Sequence, residues 1–449
     1  MKKSFECAGR RAQRRLRKPP PTGRYRYVRM RWRVLFAAID CVGWAVLTAC
    51  RWLLSKLRMR PEAPLVDPRS ILLVQLDHLG DAVLTAAVLP ALRRRFPLAR
   101  LEVLAAEWNR ELFAACPEVD RVHVSRVNRF AREVRYRWIL STWWWGWRLR
   151  KRNFDLAIDV RGEFPHALIL WLSGARRRLG WDCGGGDFLL TDRARFVPGR
   201  PEIESRLALL ALLGIEADEA IRNKRPWFEP GTAARTRVRE RLQGQGLAVD
   251  EAERPLYVLH ISAGTQAKRW PAEHWRELLG RVIVERDATV VLIGVGEERE
   301  VAQAVTGRLP WPNVIDWTGQ LSLLETAALI GQAELFIGAD SGPAHLAAAV
   351  GTPAVVLFSG TNRVAQWRPW GAQVDVLRRE VPCSPCHRQV CPWADHPCMS
   401  GLTPHEVMQR LPARQSVETL ARLDERLEPA PHEAVVAAPA VGEVEEGLA

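Results

Sequence analysis

The sequence predicts an α/β protein made of two Rossmann-like, doubly wound halves that face each other across a cleft. Three observations predict it. At 449 residues the chain is longer than one hydrophobic core supports. Short β-rich apolar runs alternate with longer helical patterns twice, over residues 71–180 and again over 257–358, which is the pattern of parallel sheets joined by crossover helices. Between the two alternations regularity is lost, and Asp218, Asn223, Pro226, Pro230, Gly231, Gly244 and Gly246 punctuate a charged stretch.

Residues 1–69 stand apart as a basic and apolar extension. Residues 1–33 hold thirteen Lys or Arg against Glu6 alone, a net of +12. Residues 34–50 are then apolar except for Asp40 and Thr48, with Arg33 before them and Arg51, Lys56 and Arg58 after. A spanning helix needs about twenty apolar residues, and a signal peptide needs a shorter basic region and a small-residue cleavage site. The pattern favours a helix over 34–54 lying in or on the cytoplasmic membrane surface, with its basic arm drawn to anionic lipid. A single-helix span and a buried packing helix are the competing readings.

Residues 70–214 form the N-terminal half. Ile71–Gln75 reads as a buried strand, 81–95 as a helix kinked at Pro90, and Leu101–Ala105, Arg121–Ser125, Phe154–Val160 and Arg177–Gly180 as further strands. Within this half, residues 121–152 carry ten Lys or Arg against Glu133; outside the two basic patches the chain's net +14 becomes −7. Basicity is therefore local, which suits a polyanionic surface better than a nucleic-acid-coating protein. Trp and Arg interleave here, as suits a boundary that is apolar on one side and anionic on the other. Arg135, Arg137, Trp143 and Trp144 are thus candidates for contact with a membrane or an anionic glycolipid acceptor. A solvated basic helix with its Trp face buried would look the same. Aromatics beside basic side chains also stack bases, but no nucleic-acid module accompanies them, and nucleic acid is not an expected partner.

Residues 215–256 read as a connection holding a short helix over 232–243, and 257–427 as the C-terminal half. Its strands are Tyr257–Ile261, Thr289–Ile293, Val314–Ile315, Leu335–Ile337 and Ala354–Phe358, and its helices cover 271–286, 297–308, 322–331 and 341–350. The tail 428–449 is rich in Ala, Pro, Val and Glu and is expected to be disordered.

Ligands of open parallel sheets bind beyond the carboxyl ends of the strands, and the residues there form a chemical set. After the first strand, Gly80 permits close backbone approach and Asp81 opens a helix; it is either an N-terminal cap or a general base for an acceptor hydroxyl. In the second half, Thr265 and Lys268 supply a hydroxyl and a cation suited to a diphosphate, against a solvent-facing charge as the plain reading of Lys268. Gly294 allows nucleotide approach and Glu297 offers a carboxylate to ribose hydroxyls, while Gly319 turns the chain on the same edge. In Asp340-Ser341-Gly342-Pro343-Ala344-His345 a buried strand delivers its end to a helix N-terminus, where unpaired N–H groups favour an anion.

Gly80-Asp81, Lys268-Arg269-Trp270-Pro271 with His274-Trp275, the Gly319 turn and Asp340–His345 together resemble glycosyltransferase family 9, the heptosyltransferases of lipopolysaccharide core assembly. The resemblance spans roughly residues 70–425, and the ordered combination is more specific than any one element. It implies a GT-B-like fold, with the acceptor on the N-terminal half and an ADP-heptose-like nucleotide-diphosphate sugar on the C-terminal half. By matching motifs, Asp81 takes the role of base and Lys268 the diphosphate contact, while Asp340, Ser341, Gly342 and His345 take donor-binding roles. The implied chemistry is inverting, by direct attack on the anomeric carbon, at the cytoplasmic face of the inner membrane. Two other readings are an epimerase on the same fold and an inactive, membrane-bound nucleotide-sugar-binding protein.

Cys383, Cys386, Cys391 and Cys398 follow a C-x2-C-x4-C-x6-C spacing. Four soft ligands so close could hold a structural zinc, with His387 and His396 as alternatives; reduced packing cysteines or disulfides fit as well. Similar Cys-rich segments occur in many members of the resembled family. No Asp-x-Asp motif is present, so no catalytic cofactor is expected, and Lys268 with the helix N-terminus would stabilise the leaving diphosphate.

Overall fold

The computed structural model describes residues 30–56, 67–127, 137–216, 219–247, 254–307, 311 and 313–412. The basic arm before Met30, Arg135 and the tail 428–449 lie outside the described residues. Both sheets belong to one compact unit.

The first sheet contains β1 (Ser70–Gln75), β2 (Arg100–Ala106), β3 (Arg121–Ser125), β4 (Leu156–Asp159), β5 (Arg177–Trp181) and β6 (Asp192–Ala194). All pairings are parallel and the spatial order is β3-β2-β1-β4-β5-β6. The second contains β7 (Leu256–His260), β8 (Thr289–Ile293), β9 (Val314–Asp316), β10 (Leu335–Ala339), β11 (Ala354–Phe358) and β12 (Val374–Arg378), also all parallel, in the order β12-β11-β10-β7-β8-β9. Each order is the Rossmann arrangement, and each reverses direction once: between β1 and β4, and between β7 and β10. The central strands are continuous apolar runs because helices cover both of their faces; β1, β7, β8, β10 and β11 are buried throughout.

Helix α1 (Met30–Lys56) precedes the first sheet and is longer than its apolar stretch. The helix expected over 81–95 is two helices, α2 (Leu79–Ala86) and α3 (Leu89–Arg95). The break falls at Ala87-Val88, and Pro90 sits in the first turn of α3, where its missing N–H is harmless. Helix α4 (Arg137–Arg150) and α5 (Phe164–Leu172) cover one face of the first sheet, where Trp145, Leu149, Ile169 and Leu170 pack with Leu72, Val74 and Leu104. Helix α6 (Glu202–Leu210) closes this half, and α7 (Thr232–Gln243) forms within the connection. In the second half, α8 (Leu323–Gln332) is capped by Ser322 and Glu325, and α9 (Gly342–Val350) follows β10 directly. The strand expected from Phe154 begins only at Leu156, because Asn153 has a left-handed φ of 53°. The helix expected over 297–308 begins at Arg299 after a tight turn and ends at Gly307.

The halves meet through α2 and α9. A Cβ on Gly80 would lie 2.8 Å from the His345 ring, and one on Gly342 would lie 2.8 Å from Leu79. Two helix N-termini thus approach closely because each carries a glycine where they touch.

Candidate active site

Both reversal points put short loops at the carboxyl ends of strands, and both loops carry charge. From β1 the chain passes Leu76, Asp77 and His78 into α2, where Asp81 is the third residue. The N-cap position is His78, and Asp81 lies in the first turn. Asp81 Oδ1 accepts from the Arg161 guanidinium at 3.0 Å and from the Arg206 guanidinium at 3.0 Å. Two charge-assisted bonds on one oxygen fix the carboxylate's orientation.

Arg206 comes from the buried face of α6 and is 1% exposed. It also donates to Thr85 Oγ1 at 3.0 Å, to the Glu202 carboxylate at 3.1 Å and to the Glu202 and Asp81 carbonyls. Arg161, from the loop after β4, stands 3.6 Å from Asp77 and 3.7 Å from Glu163 as well. Burial pushes the Asp77 carboxyl up to about 7, against the pull of the Arg161 charge. Four carboxylates, Asp81 among them, and two guanidiniums thus form one largely buried network.

In the second half, β7 ends at His260, and the loop that follows carries Thr265 and Lys268. Lys268 Nζ pairs with Asp340 Oδ2 at 2.8 Å and donates to the Asp340 carbonyl at 2.9 Å. Asp340 also accepts from the Asn362 amide at 2.9 Å. Lys268 is therefore a positioned, half-buried cation rather than a solvent-facing one. Ser341 Oγ lies 3.1 Å from His260 Nδ1, and His260 Nε2 lies 3.5 Å from Glu298. Burial would raise the Glu298 carboxyl, but hydrogen bonds from His260 and the Val295 N–H hold it at about 2. Gly319 has φ +69°, and a Cβ there would meet the Gly296 Cα at 2.6 Å. The turns after β8 and β9 can therefore stack only as glycine backbone.

His345 lies where the halves meet. Burial pulls its imidazole down to about 4, so the ring is neutral at pH 7, and it senses the charges of Asp340, Asp81, Lys268 and Arg206. Its Nδ1 is buried without a hydrogen-bond partner, as are Thr265 Oγ1 and Thr318 Oγ1. Such atoms cost about 1–3 kcal/mol each when left unsatisfied. Their presence at strand ends beside a cation and a helix N-terminus marks a place where a polar ligand would supply partners.

The structure thus brings Asp81, Lys268, Asp340 and His345 together, with Thr265, Ser341 and Gly342 on the same strand ends. Gly294 and Gly319 meet through the Gly319 N–H, which donates to the Gly294 carbonyl at 2.8 Å. Glu297 is exposed, and its neighbour Glu298 is the carboxylate that turns inward. Arg137, Trp143 and Trp144 are exposed on the outer face of α4. Arg161 and Arg206 escaped the sequence reading. The signal for Arg206 is its place among Ile203, Leu209 and Leu210 on a helix face that must be buried.

Cys383, Cys386, Cys391 and Cys398 all line one small cavity with His396 and Ala267. All four are free thiols, and among the described residues no group of three or more His, Cys, Asp or Glu is disposed to hold a metal ion. What the segment does is brace the Lys268 turn: the Ala267 N–H donates to the Gln389 carbonyl, the Cys391 N–H to Gln266 Oε1, and His396 Nε2 bonds the Ala267 carbonyl.

Comparison with known proteins bears on the family and the fold. The model of glycosyltransferase family 9 (heptosyltransferase) matches residues 144–395. The chain is 27% identical over 300 residues to lipopolysaccharide heptosyltransferase 3 of Escherichia coli, covering 65% of this chain and 83% of that protein. It superposes on the structure of the E. coli ADP-heptose lipopolysaccharide heptosyltransferase II with a TM-score of 0.60 at 22% identity, covering 79% of this chain and 99% of the other. An E. coli heptosyltransferase solved with ADP-2-deoxy-2-fluoro heptose gives a TM-score of 0.57 at 20% identity, covering 76% and 98%. The shared fold is GT-B, two Rossmann-like domains around a cleft.

Proposed function

Because this chain belongs to glycosyltransferase family 9 and is a glycosyltransferase, we propose that it moves a heptose from an ADP-heptose-like donor to a lipopolysaccharide-core-type acceptor at the cytoplasmic face of the inner membrane. The observation that carries the reading is the meeting of Asp81 with the Lys268–Asp340 pair, through two glycine-bearing helix N-termini.

In this scheme the acceptor lies on the first half and the donor on the second. Asp81, its carboxylate oriented by Arg161 and Arg206, takes the proton of the acceptor hydroxyl as that oxygen attacks the anomeric carbon. The bond from the anomeric carbon to the diphosphate breaks on the opposite face, so the configuration inverts and no sugar–enzyme bond forms. Negative charge develops on the departing diphosphate. Two of the three Lys268 ammonium hydrogens are directed at Asp340, and the third serves a phosphate oxygen. The N-terminus of α9 and the hydroxyl of Thr265 add donors that need no reorganisation during the reaction. The neutral His345 can donate from its unpartnered nitrogen without carrying charge into the interface.

The test is a product assay with ADP-heptose, with and without a heptose-accepting core oligosaccharide. The reading expects ADP release only with acceptor present, and NMR of the product showing the anomeric configuration opposite to the donor's. Donor converted to an isomer without acceptor would overturn it in favour of an epimerase.

A further inference from the structure

Helix α1 has its amphipathicity reversed relative to a helix docked on a soluble protein. The one acid within residues 34–50, Asp40, is turned inward and is 3% exposed, with its Oδ1 accepting the Gly186 N–H at 2.6 Å. One turn before it Phe36 is buried, with its ring 5.7 Å from that of Phe164 on α5. One turn after it, Gly43 lies so close to the Phe188 ring that any side chain would overlap, and Trp44 Nε1 donates to Asp187 at 3.1 Å. Arg193 covers the Trp44 ring at 4.6 Å. The opposite face is formed by Val34, Leu35, Ala38, Cys41, Val42, Ala45, Val46 and Ala49, and the exposed positions between residues 34 and 50 include no charged residue. Val42 is 65% exposed and Val46 57%.

The same layer presents a second apolar stripe. Helices α4 and α5 pack on the sheet face that also bears the Asp187–Leu189 turn to which α1 is fastened. From α4, Ile139, Leu140, Trp143, Trp144 and Trp147 point outward at helical spacing, while Trp145 and Leu149 point in. Trp171 of α5 is exposed beside them. The Arg148 guanidinium lies 5.0 Å from the Trp144 ring and that of Arg150 5.6 Å from Trp147, so cations edge this stripe.

We infer that α1 lies in the plane of an anionic membrane, fastened to the enzyme along its length by Phe36, Asp40, Gly43 and Trp44, with the Trp stripe of α4 as a second contact. Met30–Cys50 is long and apolar enough to cross a bilayer. Asp40 stands at the centre of that stretch, so a crossing helix would withdraw the carboxylate from Gly186 and leave it in the hydrocarbon core. Lying flat, the helix keeps the Asp40 bond and sinks its uncharged face into the headgroup–acyl boundary. A second copy of the chain is a poor occupant, because both copies would bring the exposed cations Arg31, Arg137, Arg148 and Arg150 to the contact. Anionic lipid complements that charge, and Trp beside Arg is the composition suited to the boundary.

The attachment does not depend on which sugar is moved, so its test needs no turnover. A small environment-sensitive fluorescent amino acid is placed in the full chain at Val34, Val42 or Ala49, and depth is read by quenching with lipids spin-labelled at different heights in phosphatidylglycerol vesicles. The inference expects one shallow depth at all three positions, and at least tenfold weaker binding to neutral phosphatidylcholine vesicles. A maximum depth at position 42 flanked by shallow ends would overturn it in favour of a span. Absence of lipid quenching together with a dimeric mass would overturn it in favour of self-association. The V42D/V46D variant, with both changes on the outward face, is expected to lose vesicle binding at least tenfold while its transfer to a soluble acceptor is unchanged. Unaltered vesicle binding by that variant would also refute the inference.

Discussion

Replacing Arg206 by Met tests whether the base is positioned by its buried network. The side chain is 1% exposed and holds Asp81 Oδ1 at 3.0 Å, Glu202 Oε2 at 3.1 Å and Thr85 Oγ1 at 3.0 Å. Met fills similar space but leaves two buried carboxylates short of a partner. Breaking a buried ion pair by removing one member costs about 3–5 kcal/mol, so the urea midpoint should fall by a corresponding amount. A misplacement of about 1 Å at the reacting group costs on the order of a hundredfold in rate, so kcat should fall by about ten- to a hundredfold while the donor Kd stays within about twofold. Adding Glu202→Gln removes one of the orphaned charges and keeps an acceptor for the Gln366 amide, which bonds Glu202 Oε1 at 2.7 Å. The double variant should recover part of the stability and none of the kcat. Steady-state transfer and isothermal titration with ADP separate these effects. A folded Arg206→Met enzyme with wild-type kcat would refute the positioning argument.

Two further outcomes follow from His345 and Gly80. Burial holds the His345 imidazole at about 4, against 6.5 in the unfolded chain. Between those values the unfolded chain binds more protons, so this residue's contribution to stability is lost as pH falls. The stability gap between the native protein and His345→Gln should shrink by about 2 kcal/mol from pH 7 to pH 5 in urea titrations; a gap that does not change would mean that the ring is not held neutral. Gly80→Ala in a helix would ordinarily stabilise by up to about 1 kcal/mol. Here the added Cβ lies 2.8 Å from the His345 ring, and crowding of that kind costs about 1–3 kcal/mol. A stability loss with weakened ADP binding is expected, and a gain would show that the halves do not meet as described.

Much of the architecture could be read from the sequence, because strands buried on both faces are continuous apolar runs. Ile71–Gln75, Thr289–Ile293 and Ala354–Phe358 stand out for that reason. The edge strands Asp192–Ala194 and Val374–Arg378 are short or polar and leave no such trace. Pro90 is ambiguous in one dimension, since a kink and a fresh helix start have the same local composition; the geometry of Ala87-Val88 decides it. At the site, Asp81, Lys268 and Asp340 follow strands directly and are marked by their position. Arg161 and Arg206 matter through partners eighty and 125 positions away, which spacing cannot reveal. Between Glu297 and Glu298 the turn geometry decides which carboxylate points inward. The orientation of α1 likewise depends on Gly186 and Asp187, nearly 150 residues beyond it.

The central claim is a division of labour, with proton removal at Asp81 and the leaving diphosphate held at Lys268. Measuring single-turnover transfer and ADP affinity side by side for Asp81→Asn and Lys268→Met tests it most directly. The account predicts that Asp81→Asn loses transfer by at least about a thousandfold and keeps ADP affinity. It predicts that Lys268→Met loses both. Wild-type transfer by Asp81→Asn, or undiminished ADP affinity in Lys268→Met, would contradict it.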